Sequence, residues 1–270
     1  MKLSTEAKLY QIFRIAIAMC FIGHGAFGII TKQVWCNYFT VFGIGQEMAY
    51  TLMPFVGTFD IIMGILILVY PMRIIPAWLV FWGLFTALLR PLSFEPFAEF
   101  LERAGNYGVP FAMLLLVGFE SNFKDMFTRL KSDFRVEQNV YRKVEICLRV
   151  TVFLLFLGHG WLNLINKQGL LAQYSSIGIT NAAQAANIIG VFEILAAFIV
   201  LIKPFRSILI PLLIWKMVSE LFYPAYAYWE WIERGGSYAA ILALWLITKS
   251  YLYKKQTVQN NKPWFYPGLY

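Results

Sequence analysis

Apolar residues in this chain run in long blocks rather than in the alternating or one-sided patterns of soluble strands and helices, and charge or proline punctuates each block. Eight such blocks fall at 10–30, 49–70, 74–92, 107–119, 144–165, 183–202, 207–223 and 237–253. Each approaches the ~20 residues an α-helix needs to cross ~30 Å of hydrocarbon, the fourth being the shortest. Pro71, Pro76 and Pro91 in the first half, and Pro204, Pro211 and Pro224 in the second, stand at or near block ends, where a missing N–H does least harm. The pattern predicts an all-α integral membrane protein with eight transmembrane helices.

Polar landmarks within and between the blocks occur twice in the same order. Arg14, Gly23-His24-Gly25, Lys32, Gly57-Thr58-Phe59-Asp60-Ile61, Arg73, Trp82 and Glu99-Phe100-Leu101-Glu102-Arg103 return as Arg149, Gly158-His159-Gly160, Lys167, Gly190-Val191-Phe192-Glu193-Ile194, Arg206, Trp215 and Glu230-Trp231-Ile232-Glu233-Arg234. His159 follows His24 by 135 residues and Glu233 follows Glu102 by 131, so short deletions alone separate the copies. This is the mark of an internal duplication. It divides the chain into a first four-helix repeat (1–119), a charged linker (120–143), a second four-helix repeat (144–254) and an aromatic tail (255–270). An even number of spans per half predicts parallel repeats, both starting from the same side of the membrane.

Composition supports the membrane reading: of 270 residues 59% are hydrophobic, 18% aromatic and 14% charged, with a mean hydropathy of +0.61. No cleavable leader is recognisable, so the first helix is expected to be its own insertion signal. Cys20, Cys36 and Cys147 form no CxxC pair and no metal-ligand spacing. The net charge of +8 is read as topology rather than as a nucleic-acid footprint, because Lys and Arg collect at alternate block ends and in the linker. That bias places both termini in the cytoplasm and the loops bearing Glu95, Glu99, Glu102, Glu230 and Glu233 outside, as in a bacterial inner membrane protein.

Ionisable residues inside hydrocarbon are costly and therefore candidates for function. His24 stands ten residues beyond Arg14, ~15 Å along the first helix, at a depth that Asp60 in the antiparallel second helix also reaches. His159 and Glu193 repeat the arrangement. Each pair would relieve the desolvation of its members, and either helix adhesion or proton chemistry explains it. In the seventh block Lys216 and Glu220 are i, i+4 neighbours, where the first half has Gly83 and Ala87. An extra charged pair in one copy alone points to a pocket in the second half, with Glu193, His159, Lys216 and Glu220 as its catalytic candidates. His24, Asp60, Arg90, Tyr223 and Trp229 are the accompanying ligand-binding candidates. The two histidines and two acids would suit a divalent metal if they converged across the repeat axis.

The outer-loop motif E-[F/W]-[L/I]-E-R is expected as a short interfacial helix with solvated Glu and Arg and an anchoring aromatic residue. Tyr223, Tyr226, Tyr228, Trp229 and Trp231 form an aromatic belt at the same level, suited to anchoring or to lining the way in for a flat lipid-soluble ring. Walker A, GxGxxG, GxSxG and HExxH motifs are absent.

The order Arg, apolar run, G-H-G, Lys, intramembrane acid, and a basic residue between the second and third helices resembles the DoxX-like family of small four-helix membrane proteins, whose relatives include the DoxD subunit of thiosulfate:quinone oxidoreductase and the MauE proteins. Arg149, Gly158-His159-Gly160, Lys167, Glu193 and Arg206 carry the likeness best, and Arg14, His24, Lys32, Asp60 and Arg73 carry it with Asp in place of Glu. The resemblance implies two tandem units, a place in membrane redox chemistry, a quinone or similar lipophilic electron carrier as ligand, and a protein partner that supplies electrons. The competing expectations are a membrane scaffold docking through its linker and the tail Trp264 to Tyr270, and a carrier of small ions.

Overall fold

The computed structural model describes residues 3–119, 122–131 and 134–260, with 249–260 described by their backbone alone. The aromatic tail Trp264 to Tyr270 lies outside the described residues. The chain is all-helical, and its one extended pairing among the described residues is an isolated bridge between Met72 and Arg129.

All eight apolar blocks form helices: α1 (Thr5–Ile29), α3 (Gln46–Val69), α4 (Ile74–Leu92), α6 (Ala104–Val117), α7 (Gln138–Leu164), α9 (Ala182–Ile202), α10 (Arg206–Ser219) and α12 (Gly235–Asn260). Four short helices lie between them: α2 (Trp35–Thr40), α5 (Ala98–Glu102), α8 (Gln168–Ser176) and α11 (Ala227–Glu233). Of these, α5 and α11 were expected from the E-x-x-E-R motif, whereas α2 and α8 lie in stretches without clear periodicity. Boundaries differ from the expected ones for local reasons. Helix α6 stops at Val117 because Gly118 takes a positive φ of 80°. Helix α10 tightens after Ser219 into the 3-10 turn Glu220–Phe222, just before Pro224.

Five helices, α1, α3, α4, α7 and α9, are long and apolar enough to cross a membrane. The expectation of eight spans is met to that extent. Helices α6 and α10 have 14 residues each, ~21 Å against ~30 Å of hydrocarbon.

One core joins α1, α6, α7 and α12 through Phe13, Ile17 and Phe21, Val109 and Met113, Val152 and Leu155, and Leu244 and Ile247. Helix α3 packs on α1 and α9 on α7, at distances small residues set: a Cβ on Gly25 would lie 2.6 Å from the Gly57 carbonyl oxygen, and one on Gly160 2.8 Å from that of Gly190. The outer helices expose Phe55, Phe59, Ile62 and Ile65 on α3, Phe81 on α4, and Ile188, Leu195 and Phe198 on α9. An apolar belt of this extent needs lipid to cover it, and the protein is integral to a membrane.

Arginines close the far ends of α3 and α9. Arg14 donates to the carbonyls of Ile67 and Leu68, and Arg149 to those of Leu201 and Ile202, serving carbonyls that have no partner within their own helix.

Candidate ligand cavity and the buried charge network

Both sequence-predicted histidine–acid pairs form. His24 Nδ1 lies 2.7 Å from Asp60 Oδ2, and His159 Nδ1 2.6 Å from Glu193 Oε2. Each acid is fully buried and also receives an indole N–H, from Trp82 at 3.4 Å and from Trp215 at 2.8 Å. The pairs do not converge on a metal site: among the described residues no group of three or more His, Cys, Asp or Glu side chains is placed to hold an ion.

The surroundings of the pairs differ. In the second half Asn163, one turn after His159, donates to Glu193 Oε2 at 3.2 Å, and Tyr174 donates to Asn163 at 2.6 Å, so both carboxylate oxygens are satisfied and the site is closed. The same register puts Gly28 opposite Asn163 in the first half, and Asp60 Oδ1 has no hydrogen-bond partner. A cavity of ≈ 150 Å³ lies on the other side of Asp60's partners His24 and Trp82, both of which line it. Its walls are Trp35, Tyr38, Phe39, Phe42, Trp82 and Phe85, and its polar points are His24, Lys32, Thr86, Arg90, Arg103, Asn106 and Glu233. The His24 ring packs on Trp35 with centroids 4.6 Å apart and planes tilted by 33°, which holds the imidazole between the cavity and Asp60. Arg103 Nε and Asn106 Oδ1 are buried without a hydrogen-bond partner in the protein. Such groups are rare in folded proteins and call for an explanation.

Lys216 and Glu220 sit differently from the expectation of a second-half pocket. They form a close ion pair with each other, enclosed with Glu102 (3.8 Å from Lys216 Nζ) and Arg234 (3.6 Å from Glu220). Gly83 and Ala87 hold the corresponding positions in the first half, and Gly83 lines the cavity.

The expectation of solvated Glu and Arg in α5 and α11 is corrected by the structure. Glu99, Glu102, Arg103, Glu230, Glu233 and Arg234 are all buried. Each short helix turns inward across the molecule: α5 packs on α7, and α11 on α1. The glycines before the histidines permit it, since a Cβ on Gly23 would lie 2.6 Å from Glu233 Cα and one on Gly158 2.9 Å from Glu102 Cα. Loop lysines are exchanged in the same way: Lys32 pairs with Glu230, and Lys167 with Glu99. Glu99 also accepts from Arg103 at 2.5 Å and from Arg90 at 3.4 Å. Sequence reasoning recognised the motif but could not see its burial, because a five-residue helix has too little periodicity to reveal what it packs against.

The cations favour the ionised form of three loop carboxylates, Glu95, Glu102 and Glu233. Burial alone would raise the Glu95 carboxyl, but Arg90, 3.1 Å away, and the Tyr38 hydroxyl, at 2.7 Å, outweigh it, and Glu95 lies below the usual carboxylate range. Glu102 and Glu233 are likewise buried yet held low, chiefly by Arg234. Burial pushes the Tyr38 hydroxyl up to about 12, so Tyr38 stays neutral at the cavity wall, with its proton donated to Glu95.

Of the remaining candidates, Arg90 lines the cavity, and Trp229 packs behind it against the cluster of Phe27 and Trp35. Tyr223 accepts from Arg234 at 3.5 Å and belongs to the charge network rather than to the cavity wall. Tyr226 and Tyr228 are exposed, as an aromatic belt requires. Cys20, Cys36 and Cys147 are free thiols. No family model, curated protein or solved structure matches the chain.

Proposed function

We propose that the chain is a DoxX-like subunit of a membrane redox system, built from two tandem four-helix units with eight membrane-crossing helices, and that it binds a quinone or comparable lipophilic electron carrier in the cavity beside His24. The observation that carries the reading is the composition of that cavity: flat aromatic walls around polar groups that include two unpartnered buried atoms, on Arg103 and Asn106. A cavity of ≈ 150 Å³ matches the volume known to take up a benzene-sized ring. Carbonyl oxygens at the edge of such a ring find donors in the guanidinium groups of Arg103 and Arg90.

His24 and Asp60 suit proton delivery. With Nδ1 engaged by Asp60, Nε2 is the nitrogen left to serve the cavity, and the carboxylate stabilises the imidazolium whenever Nε2 carries a proton. Quinone reduction consumes protons together with electrons, and the electrons would come from a partner protein. In this reading both termini are cytoplasmic, the membrane is a bacterial inner membrane, and His159 with Glu193 is a structural counterpart of the working pair.

Purification of the full chain in native lipid tests the proposal. Extracted lipid is expected to contain a benzoquinone or naphthoquinone in stoichiometric amount. Thr86→Phe, which places a ring in the cavity, should abolish retention without lowering the Tm by more than about 3 °C. Quinone retained equally by Thr86→Phe would move the ligand elsewhere, and no retention in either protein would remove the proposal's support.

A further inference from the structure

At the opposite end of α4 from the His24 cavity the structure holds a second cavity, of ≈ 570 Å³, where the linker folds back on the α3–α4 turn. Leu130 N–H donates to the Pro71 carbonyl at 2.8 Å and Arg129 bridges to Met72, which fixes this part of the linker. Among the described residues four cations, Arg73, Arg129, Lys131 and Arg135, line the cavity with one carboxylate, Glu137. Arg73 is partly committed, donating to the carbonyls of Gly118 and Val117 at 3.2 and 3.3 Å, whereas Arg129, Lys131 and Arg135 are exposed. The rest of the lining is apolar and includes Leu115, Phe134 and Val140.

The position of the cavity narrows its ligand. Helices α3 and α4 are both long and apolar enough to span, so the turn joining them lies at the hydrocarbon boundary, level with lipid phosphates. Phe119, Phe123 and Phe127 are exposed on the neighbouring stretch of chain, as expected of aromatic side chains seated among headgroups. A soluble anion would use the cations and leave the apolar floor wet. An anionic lipid uses both, its phosphate on the cations and the start of its acyl chains on the floor. We propose that this cavity is a binding site for the phosphodiester headgroup of an anionic phospholipid.

The test uses the full chain in phosphatidylcholine nanodiscs or detergent titrated with phosphatidylglycerol, reading the Tm and the lipid retained in native mass spectra. A saturable rise in Tm is expected. Lys131→Gln with Arg135→Gln should weaken the apparent affinity about 25-fold, about fivefold for each cation removed. Arg142→Gln with Lys143→Gln removes the same charge from the exposed first turns of α7 and should change it by less than about twofold. The Tm of each variant before lipid is added reports that its fold is intact. Equal weakening in the two double variants would reduce the effect to diffuse attraction and overturn the proposal. So would an equal Tm rise with inorganic phosphate alone, which would make the site one for free phosphate, or equal retention of phosphatidylcholine.

Discussion

His24 and His159 hold their carboxylates at nearly the same distance, 2.7 and 2.6 Å, and differ in everything around them. Glu193 has both oxygens satisfied, by His159, Asn163 and Trp215, in a buried setting; Asp60 keeps one oxygen without a partner, and its histidine lines a cavity. The two acids should therefore fail differently. Glu193→Gln removes charge-assisted hydrogen bonds and is expected to cost ~2 kcal/mol of stability, read as a Tm lowered by several degrees in lipid. Asp60→Asn removes the charge that orients and supports His24, and is expected to weaken quinone retention at least about tenfold with a smaller loss of Tm. Equal effects of both substitutions on retention would mean that the halves share one site or carry two equivalent ones. Both pairs were legible in the sequence because intramembrane ionisable residues stand out against an apolar background. Which pair adjoins open space was not, since that depends on how the residues around each pair pack, with Gly83 lining the cavity in the first half and Tyr174 and Asn163 closing over Glu193 in the second.

Helices α5 and α11 are individually trivial, five and seven residues long, yet they carry much of the buried charge. Lys32, Arg90, Arg103, Lys167, Lys216 and Arg234 are matched by Glu95, Glu99, Glu102, Glu220, Glu230 and Glu233, so the network is neutral and an unpaired member is the costly state. A double-mutant cycle on Lys32 and Glu230 tests this. Each single change, Lys32→Met or Glu230→Gln, is expected to destabilise by ~1–3 kcal/mol, and the double variant by less than the sum, with a coupling energy of at least ~0.5 kcal/mol. Additive losses would show the pair to be incidental. The motif was visible in the sequence as E-x-x-E-R, and the average behaviour of charged residues between apolar blocks predicted solvation for it. Tertiary packing reversed that, because Gly23 and Gly158 let another backbone approach where a larger residue would hold it off.

At the scale of the molecule, the eight apolar blocks were legible as helices because hydrophobic run length is the strongest signal a sequence carries, and the ends moved where glycine conformation or a 3-10 turn intervened. The charge network predicts the response of the whole fold to acid. Unfolded glutamates take up protons near pH ~4.3, while Glu95, Glu102 and Glu233 are held lower in the folded state, which therefore binds fewer protons as pH falls through that value. The stabilisation they provide is present above pH ~4.3 and lost below it, so the Tm in fixed lipid should hold from pH ~7 to ~5.5 and drop steeply below ~4.5. A Tm flat to pH ~3 would contradict this. The exchange of Lys32 with Glu230 and Lys167 with Glu99 also sets a timetable for biogenesis. During synthesis Lys32 and the Gly23 face of α1 reach the membrane long before the segment that covers them, and Lys32 waits through 198 residues for its carboxylate. Until α11 emerges, the first half stands with a cation and a helix groove uncovered, a ready substrate for membrane chaperones and quality-control proteases.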